Sequence, residues 1–139
     1  MRDKASSVTD NSYMREPIKD RERLRHIISA IDRIERYVSG KTYEDLVTDD
    51  MMYYAVVKNI EIIGEAANML TPDFISSHTE TPWKMVRGMR NYIVHEYFQI
   101  DDEVVWDVVT NNLPELREQI THYINDTDWK QWEQNNEIC

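Results

Sequence analysis

Arg90, Asn91 and His95 make up the one segment of this sequence whose residue types and spacing suit chemistry at a phosphate. A histidine, with an unperturbed pKa of about 6.5, can exchange protons with a ribose 2′-hydroxyl or a leaving oxygen near neutral pH. An arginine can hold a phosphodiester through its planar fork and stabilise charge gained at phosphorus, without a metal. The pair therefore suits RNA transphosphorylation, in which a 2′-hydroxyl attacks the adjacent phosphate. Asn91 and His95 are i, i+4 neighbours on a helix, so the amide can orient the imidazole.

The element that positions them is a helix opened by Thr81-Pro82 as N-cap and first helical residue, running to about residue 95 or 97. Trp83, Val86, Ile93 and Tyr97 recur on one face of it, and Arg90 occupies that stripe between Val86 and Ile93. A guanidinium on an apolar stripe needs carboxylate partners, a subunit interface or an anionic ligand, because it cannot shed its charge. Arg90 and His95 lie about 140° apart round a regular helix. They converge only if the helix ends or distorts between them, or across a dimer axis. Spacing alone leaves a structural alternative open: a buried Arg–Glu pair with a capping histidine, Glu61 or Glu65 supplying the carboxylate.

The rest of the chain reads as helices too. Residues 1–16 are polar and aperiodic and are expected to be a disordered leader. From about Pro17, Leu24, Ile27, Ile28, Ile31, Ile34 and Val38 follow the i, i+3, i+4, i+7 pattern of one helix, which Gly40 stops. Thr42 caps a short turn over 43–47. Asp49 or Asp50 caps a second long helix with Met52, Val56, Ile60, Ile63, Ala67 and Leu70 inward, ended by Thr71-Pro72. Asp101 or Asp102 starts another, carrying Val105, Val109, Leu116, Ile120 and Ile124, with Pro114 expected to bend or break it near 110–113. The expectation is an all-α, antiparallel four-helix bundle over residues 17–125 with short extra helices. A tail over 126–139 would form one more short amphipathic helix presenting Trp129 and Trp132.

Composition narrows the class without reaching the site. Of 139 residues, three are glycine and four proline, too few for a turn-rich β protein. The single cysteine, Cys139, excludes an intramolecular disulfide framework and a cysteine-based zinc site, and it suits a reducing, cytoplasmic compartment. No apolar run approaches the roughly 18 residues of a membrane span. The net charge of −10 argues against nucleic acid at first sight. Its distribution weakens that inference: residues 81–100 carry three basic groups against one acidic, whereas 101–139 carry two against ten. Lys84 and Arg87, one or two turns before Arg90, are candidates for contacts to an RNA backbone.

The segment Arg90-Asn91, three residues, His95-Glu96-Tyr97 resembles the Arg…His motif of HEPN domains and, more narrowly, that of HepT-like toxins. The likeness extends to Leu24-Arg25-His26-Ile27, to the run from Asn59 to Ala67, to Pro82-Trp83, and to the run from Val105 to Pro114. It covers roughly residues 18–125. The resemblance implies an all-α homodimer acting as a metal-independent endoribonuclease that needs no cofactor, two motifs facing each other in one composite cleft. By position, Arg90 would bind the scissile phosphate, His95 would act as general base or acid, and Asn91 would orient histidine or phosphate. It further implies a partner antitoxin with a minimal nucleotidyltransferase domain, which transfers AMP to the motif tyrosine, here Tyr97. Where relatives often carry glycine, position 96 is Glu, a fixed negative charge beside His95. A non-catalytic HEPN module that binds a nucleotidyltransferase partner or nucleotide is the alternative.

Among the other polar residues, His26 sits in an Arg-rich run that reads as a solvated face, while His78 and His122 lack metal-ligand spacing. Tyr53, Tyr54, Trp83 and Trp106 are spaced for packing rather than for stacking on bases.

Overall fold

A computed structural model describes residues 19–95 and 101–137, with side chains described outside 90–95 and 136–137. The elements are α1 (Asp20–Val38), α2 (Tyr43–Thr48), α3 (Asp50–Asn68), α4 (Pro72–Ser77), α5 (Trp83–His95), α6 (Asp102–Asp107), α7 (Leu113–Asp126) and α8 (Trp129–Glu137). A π-helical segment, Val108–Asn112, joins α6 to α7. The leader expected over 1–16 and Pro17, the expected first helical residue, lie outside the described residues, and α1 runs from Asp20. No helix among the described residues is long and apolar enough to cross a membrane.

The bundle is built round α3, which packs against α1 on one side and α5 on the other, while α7 closes against α1. The inward stripes explain this arrangement. Leu24, Ile27, Ile31 and Ile34 of α1 and Val56, Ile60 and Ile63 of α3 are buried at helical spacing. Ala66 and Ala67 keep α3 slim near its end, where both are buried. Each fully buried Leu or Ile contributes about 1.5–3 kcal/mol of transfer free energy.

Local chemistry sets the boundaries. Gly40 adopts φ +72°, a left-handed conformation that a Cβ would strain, just after the end of α1. Thr42 and Asp45 form a reciprocal capping box at the start of α2. Asp49 caps α3 through the Met52 amide, as its sequence position predicts. Two expectations move. The second long helix stops at Asn68, and Thr71-Pro72 instead opens α4, the Thr71 hydroxyl accepting from the Phe74 amide. Likewise α5 starts one residue later than Thr81-Pro82 suggests: Pro82 accepts the first helical hydrogen bond, from the Val86 amide. Thr81 does not supply the expected cap because its hydroxyl is engaged by Gln119 and Tyr123 of α7, tying the entrance of α5 to the far helix.

Pro114 breaks the last long helix in a specific way. Its ring removes one amide donor, and the Leu113 amide reaches back five residues to the Val108 carbonyl. The π turn lets α7 begin afresh with proline in its first turn, where a missing amide costs nothing.

The tail is not a presented helix. Trp129 is buried and Trp132 half-buried, both turned onto Phe74 at ring-centroid distances of 6.0 and 5.7 Å. Phe74 also stacks on His78 at 3.8 Å and meets Trp83 and Tyr123 edge-on. The His78 carbonyl accepts from Trp83 Nε1 at 2.7 Å. One short helix thus anchors α5, α7 and α8 through rings.

Beside this cluster Asp20 is fully buried, accepting from the Thr71 amide at 2.9 Å, the Thr71 hydroxyl at 2.8 Å and Trp132 Nε1 at 3.2 Å. Burial raises its pKa, an effect larger than the opposing pull of the Thr71 and Trp132 bonds. A carboxyl with a raised folded pKa contributes most below its ordinary pKa, and that contribution is lost as pH rises through the folded value. Asp20→Asn should therefore gain stability relative to the wild type as pH rises from 4 to 7. Urea midpoints of both proteins across that range check it, and parallel pH profiles would refute it.

Candidate active site

The chemistry-bearing segment sits on α5, whose entrance is fixed by three contacts. Trp83 and Val86 are buried against the core, Trp83 Nε1 donates to His78, and Thr81 is held by α7. Beyond Met89, which is buried, the helix continues through Arg90 and Asn91 to His95, its last described residue. Their backbones are described, and the side chains of all three lie outside the described residues. So does Tyr97, the expected site of modification, together with Glu96.

The helical path carries a geometric consequence. Residues 90–95 remain α-helical, with no distortion of the kind that would bring positions five apart onto one face. The positions of Arg90 and His95 therefore lie about 140° apart round one helix. Convergence then requires either a departure from the helix beyond the described residues or two copies of the chain.

Of the two expected RNA contacts, Lys84 is exposed and Arg87 half-buried, both on α5. They precede Arg90 by six and three residues. Arg87 thus stands one turn before Arg90, whereas Lys84, six residues before it, lies about 120° away round the helix. Gly88, one turn after Lys84, leaves open space: a Cβ added there meets nothing within 4 Å.

The structural alternative for Arg90 named Glu61 and Glu65 of α3. Glu61 lies 3.7 Å from Lys58 on the same helix. α3 is nonetheless the helix packed along α5, so this alternative matches the topology. Two other histidines have local partners. His78 caps the end of α4, its Nδ1 2.9 Å from the Phe74 carbonyl, and His122 pairs with Asp126 at 2.6 Å. Arg25 of the basic run on α1 lies 3.9 Å from Glu22. Arg21 stands over the Trp129 ring at 5.7 Å. Among the described residues no group of three or more His, Cys, Asp or Glu could hold a metal ion.

Sequence spacing did not single out Arg33 or Asn59. Arg33 of α1 donates from Nε to Oδ1 of the buried Asn59 of α3 at 2.7 Å, and the Asn59 amide donates to the Ala55 carbonyl at 2.8 Å. A buried amide amid Ile60 and Ile63 is the available signal, since such a group needs partners.

The family model for ribonuclease HepT-like proteins matches residues 27–123. A protein of Caldanaerobacter subterraneus subsp. tengcongensis named "Putative RNase" is 36% identical over 97 residues, 70% of this chain and 87% of that protein. A Methanocaldococcus jannaschii protein of the same name is 33% identical over 113 residues, 81% of this chain and 93% of that one. "Probable ribonuclease HepT" of Thermococcus cleftensis is 36% identical over 94 residues, covering 68% of this chain and 86% of the relative. No solved structure gives a significant match. The matched stretch begins on α1 and ends on the last turns of α7, taking in every long helix of the bundle, and the chain belongs to the HepT-like ribonuclease family.

Proposed function

We propose that the chain is the ribonuclease toxin of a two-gene toxin–antitoxin module, a homodimer that cleaves tRNA or mRNA without a metal. The observation that carries this reading is the family match over residues 27–123 with the Arg90-Asn91…His95 spacing inside it, on the last turns of α5. His95 removes the proton from the ribose 2′-hydroxyl, whose oxygen attacks phosphorus. The bond from phosphorus to the 5′-oxygen breaks, and that oxygen takes up a proton. The products are a 2′,3′-cyclic phosphate and a 5′-hydroxyl. Arg90 holds the phosphate and stabilises its added charge, and Asn91 orients histidine or phosphate. Arg87 and Lys84 contact flanking phosphates. The 140° divergence of Arg90 and His95 on one helix supports a cleft shared by two chains. The experiment is RNA cleavage by purified protein in EDTA, with the 3′ ends of the products mapped. Absence of any cleavage across tRNA and mRNA pools would count against it.

The antitoxin of this reading is a minimal nucleotidyltransferase that transfers AMP to Tyr97, releasing pyrophosphate from ATP. A phosphate and a nucleoside beside His95 would exclude RNA by charge and by bulk. Co-expression with that enzyme should add AMP mass to the peptide containing Tyr97. Unmodified peptide, or AMP only on other residues, would refute this part.

A second reading, a non-catalytic module that binds a nucleotidyltransferase or nucleotide, is favoured by Glu96 next to His95 and by the net charge of −10. Calorimetric binding of the partner with no RNA cleavage would select it. The unit over 17–125, with its leader and tail, is proposed as the domain that carries either activity.

A further inference from the structure

Three helix starts meet at one end of the molecule. α2 packs against both α3 and α6, and Tyr43 of α2 meets Trp106 of α6 edge-on at 6.3 Å. Tyr53 of α3 lies near Asp102 at the start of α6. Seven carboxylates crowd this end, over residues 44–50 and 101–103, against Lys41 and Lys58. Partial burial and the carboxylates of Glu103, Asp102, Asp101 and Glu44 raise the pKa of Tyr43, placing these charges round one phenol.

Helix capping accounts for part of this charge. Asp45, Asp49 and Asp101 accept hydrogen bonds from backbone amides at their helix starts. Capping does not account for the large apolar side chains that stand in water at the same place. Met51 is 85% exposed and Tyr54 67%, one turn apart on α3, and Val104 of α6 is 38% exposed. The core of α3 does not need them, since Met52, Val56, Ile60 and Ile63 supply its inward stripe.

We propose that this end of the bundle, centred on Met51 and Tyr54, is a docking face for a basic protein partner that inserts an apolar side chain between them. The charge selects the occupant. RNA would bring phosphates against seven carboxylates. A second copy meeting this face with its own would set like charges opposite one another across the two-fold axis. A lysine- or arginine-rich protein surface gains steering from the acidic rim and affinity from the exposed side chains. The inference is independent of RNA cleavage by Arg90 and His95, and its test reads binding alone.

The full-length protein is titrated with a synthetic helical peptide of leucine and lysine, followed by backbone amide NMR shifts, beside a lysine–serine peptide of equal charge. The expected result is saturable shifts centred on Met51, Tyr54, Tyr43 and Val104, with the serine peptide at least about tenfold weaker. Met51→Ser with Tyr54→Ser should weaken the leucine peptide by about tenfold or more. Glu115→Gln with Glu118→Gln, on exposed α7 positions, should change it by less than about twofold. Shifts spread over the acidic surface, equal effects of the two double variants, or no binding would overturn the proposal. So would dissociation of a dimer by Met51→Ser with Tyr54→Ser, which assigns the face to a second copy, or the same shifts with an RNA oligonucleotide.

Discussion

His95→Ala is expected to lower RNA cleavage by about 10²–10⁴-fold, the range for a lost general acid or base. Arg90→Ala should cost about 10²–10³-fold, as for removal of a group that stabilises charge in the transition state. The double variant should be scarcely worse than either, because residues that act as a unit are not additive. Both substitutions fall on the last turns of α5, beyond the buried Trp83, Val86 and Met89 that anchor it, so each variant should keep the bundle. Circular dichroism and size-exclusion chromatography check that point alongside the cleavage assay. Unfolded or dissociated Arg90→Ala would point instead to a structural arginine paired with a carboxylate.

The same two variants test whether the cleft is shared. If Arg90 of one chain works with His95 of the other, a two-fold dimer holds two such pairings. Unfolding and refolding Arg90→Ala with His95→Ala then makes about half the dimers mixed, each with one intact pairing, and restores about a quarter of wild-type activity. A pair working within one chain recovers nothing, since every chain lacks one member. Recovery therefore separates the two ways in which the helix permits Arg90 and His95 to meet.

Phe74→Ala should have the largest effect on stability, about 3–5 kcal/mol, as for other aromatic truncations in packed cores. Phe74 is fully buried, and its ring contacts His78, Trp83, Tyr123, Trp129 and Trp132. Truncation leaves a cavity lined by elements that are themselves ordered by packing on that ring, so collapse cannot fill it cheaply. For a chain of this size the expected loss is about 10–20 °C in Tm. Near-UV circular dichroism should fall in the same variant, because Trp83, Trp129 and Trp132 lose their fixed neighbour. A drop of under about 3 °C would show that the cluster repacks without Phe74.

Much of the backbone layout was legible in the residues. The α1 and α3 stripes are unbroken i, i+3, i+4 runs, and such runs can bury themselves only as helices. Gly40, Thr42 and Asp49 do locally what their side chains permit, a left-handed residue and two side-chain caps, so their roles needed no tertiary context. Pro114 predicted a break for the same reason, since a missing amide is a property of the residue itself. Thr81 was misassigned because a hydroxyl cannot choose between an amide three residues on and Gln119 and Tyr123, 38 and 42 residues away, until the fold brings them near.

For the candidate site the division is similar. The residue types and spacing of Arg90, Asn91 and His95 stand in the sequence, as does the family likeness they carry. The role of Phe74 did not, because two phenylalanines in 139 residues show no pattern, and an aromatic hub arises from contacts between segments up to 58 residues apart. Trp129 and Trp132 looked like side chains presented by a polar tail, yet Asp20 and Phe74 draw them in.

The sequence by itself determined an all-helical chain, its main helix boundaries and a phosphate-type pair of residues on one helix, because periodicity, capping and functional-group chemistry are encoded within a few neighbouring residues. Tertiary structure alone decided three further features: Asp20 is buried against Thr71 and Trp132, α8 is folded back onto Phe74, and Met51 and Tyr54 remain in water at an acidic end. Burial and partner choice depend on which distant surfaces meet, and no local window of sequence contains that information.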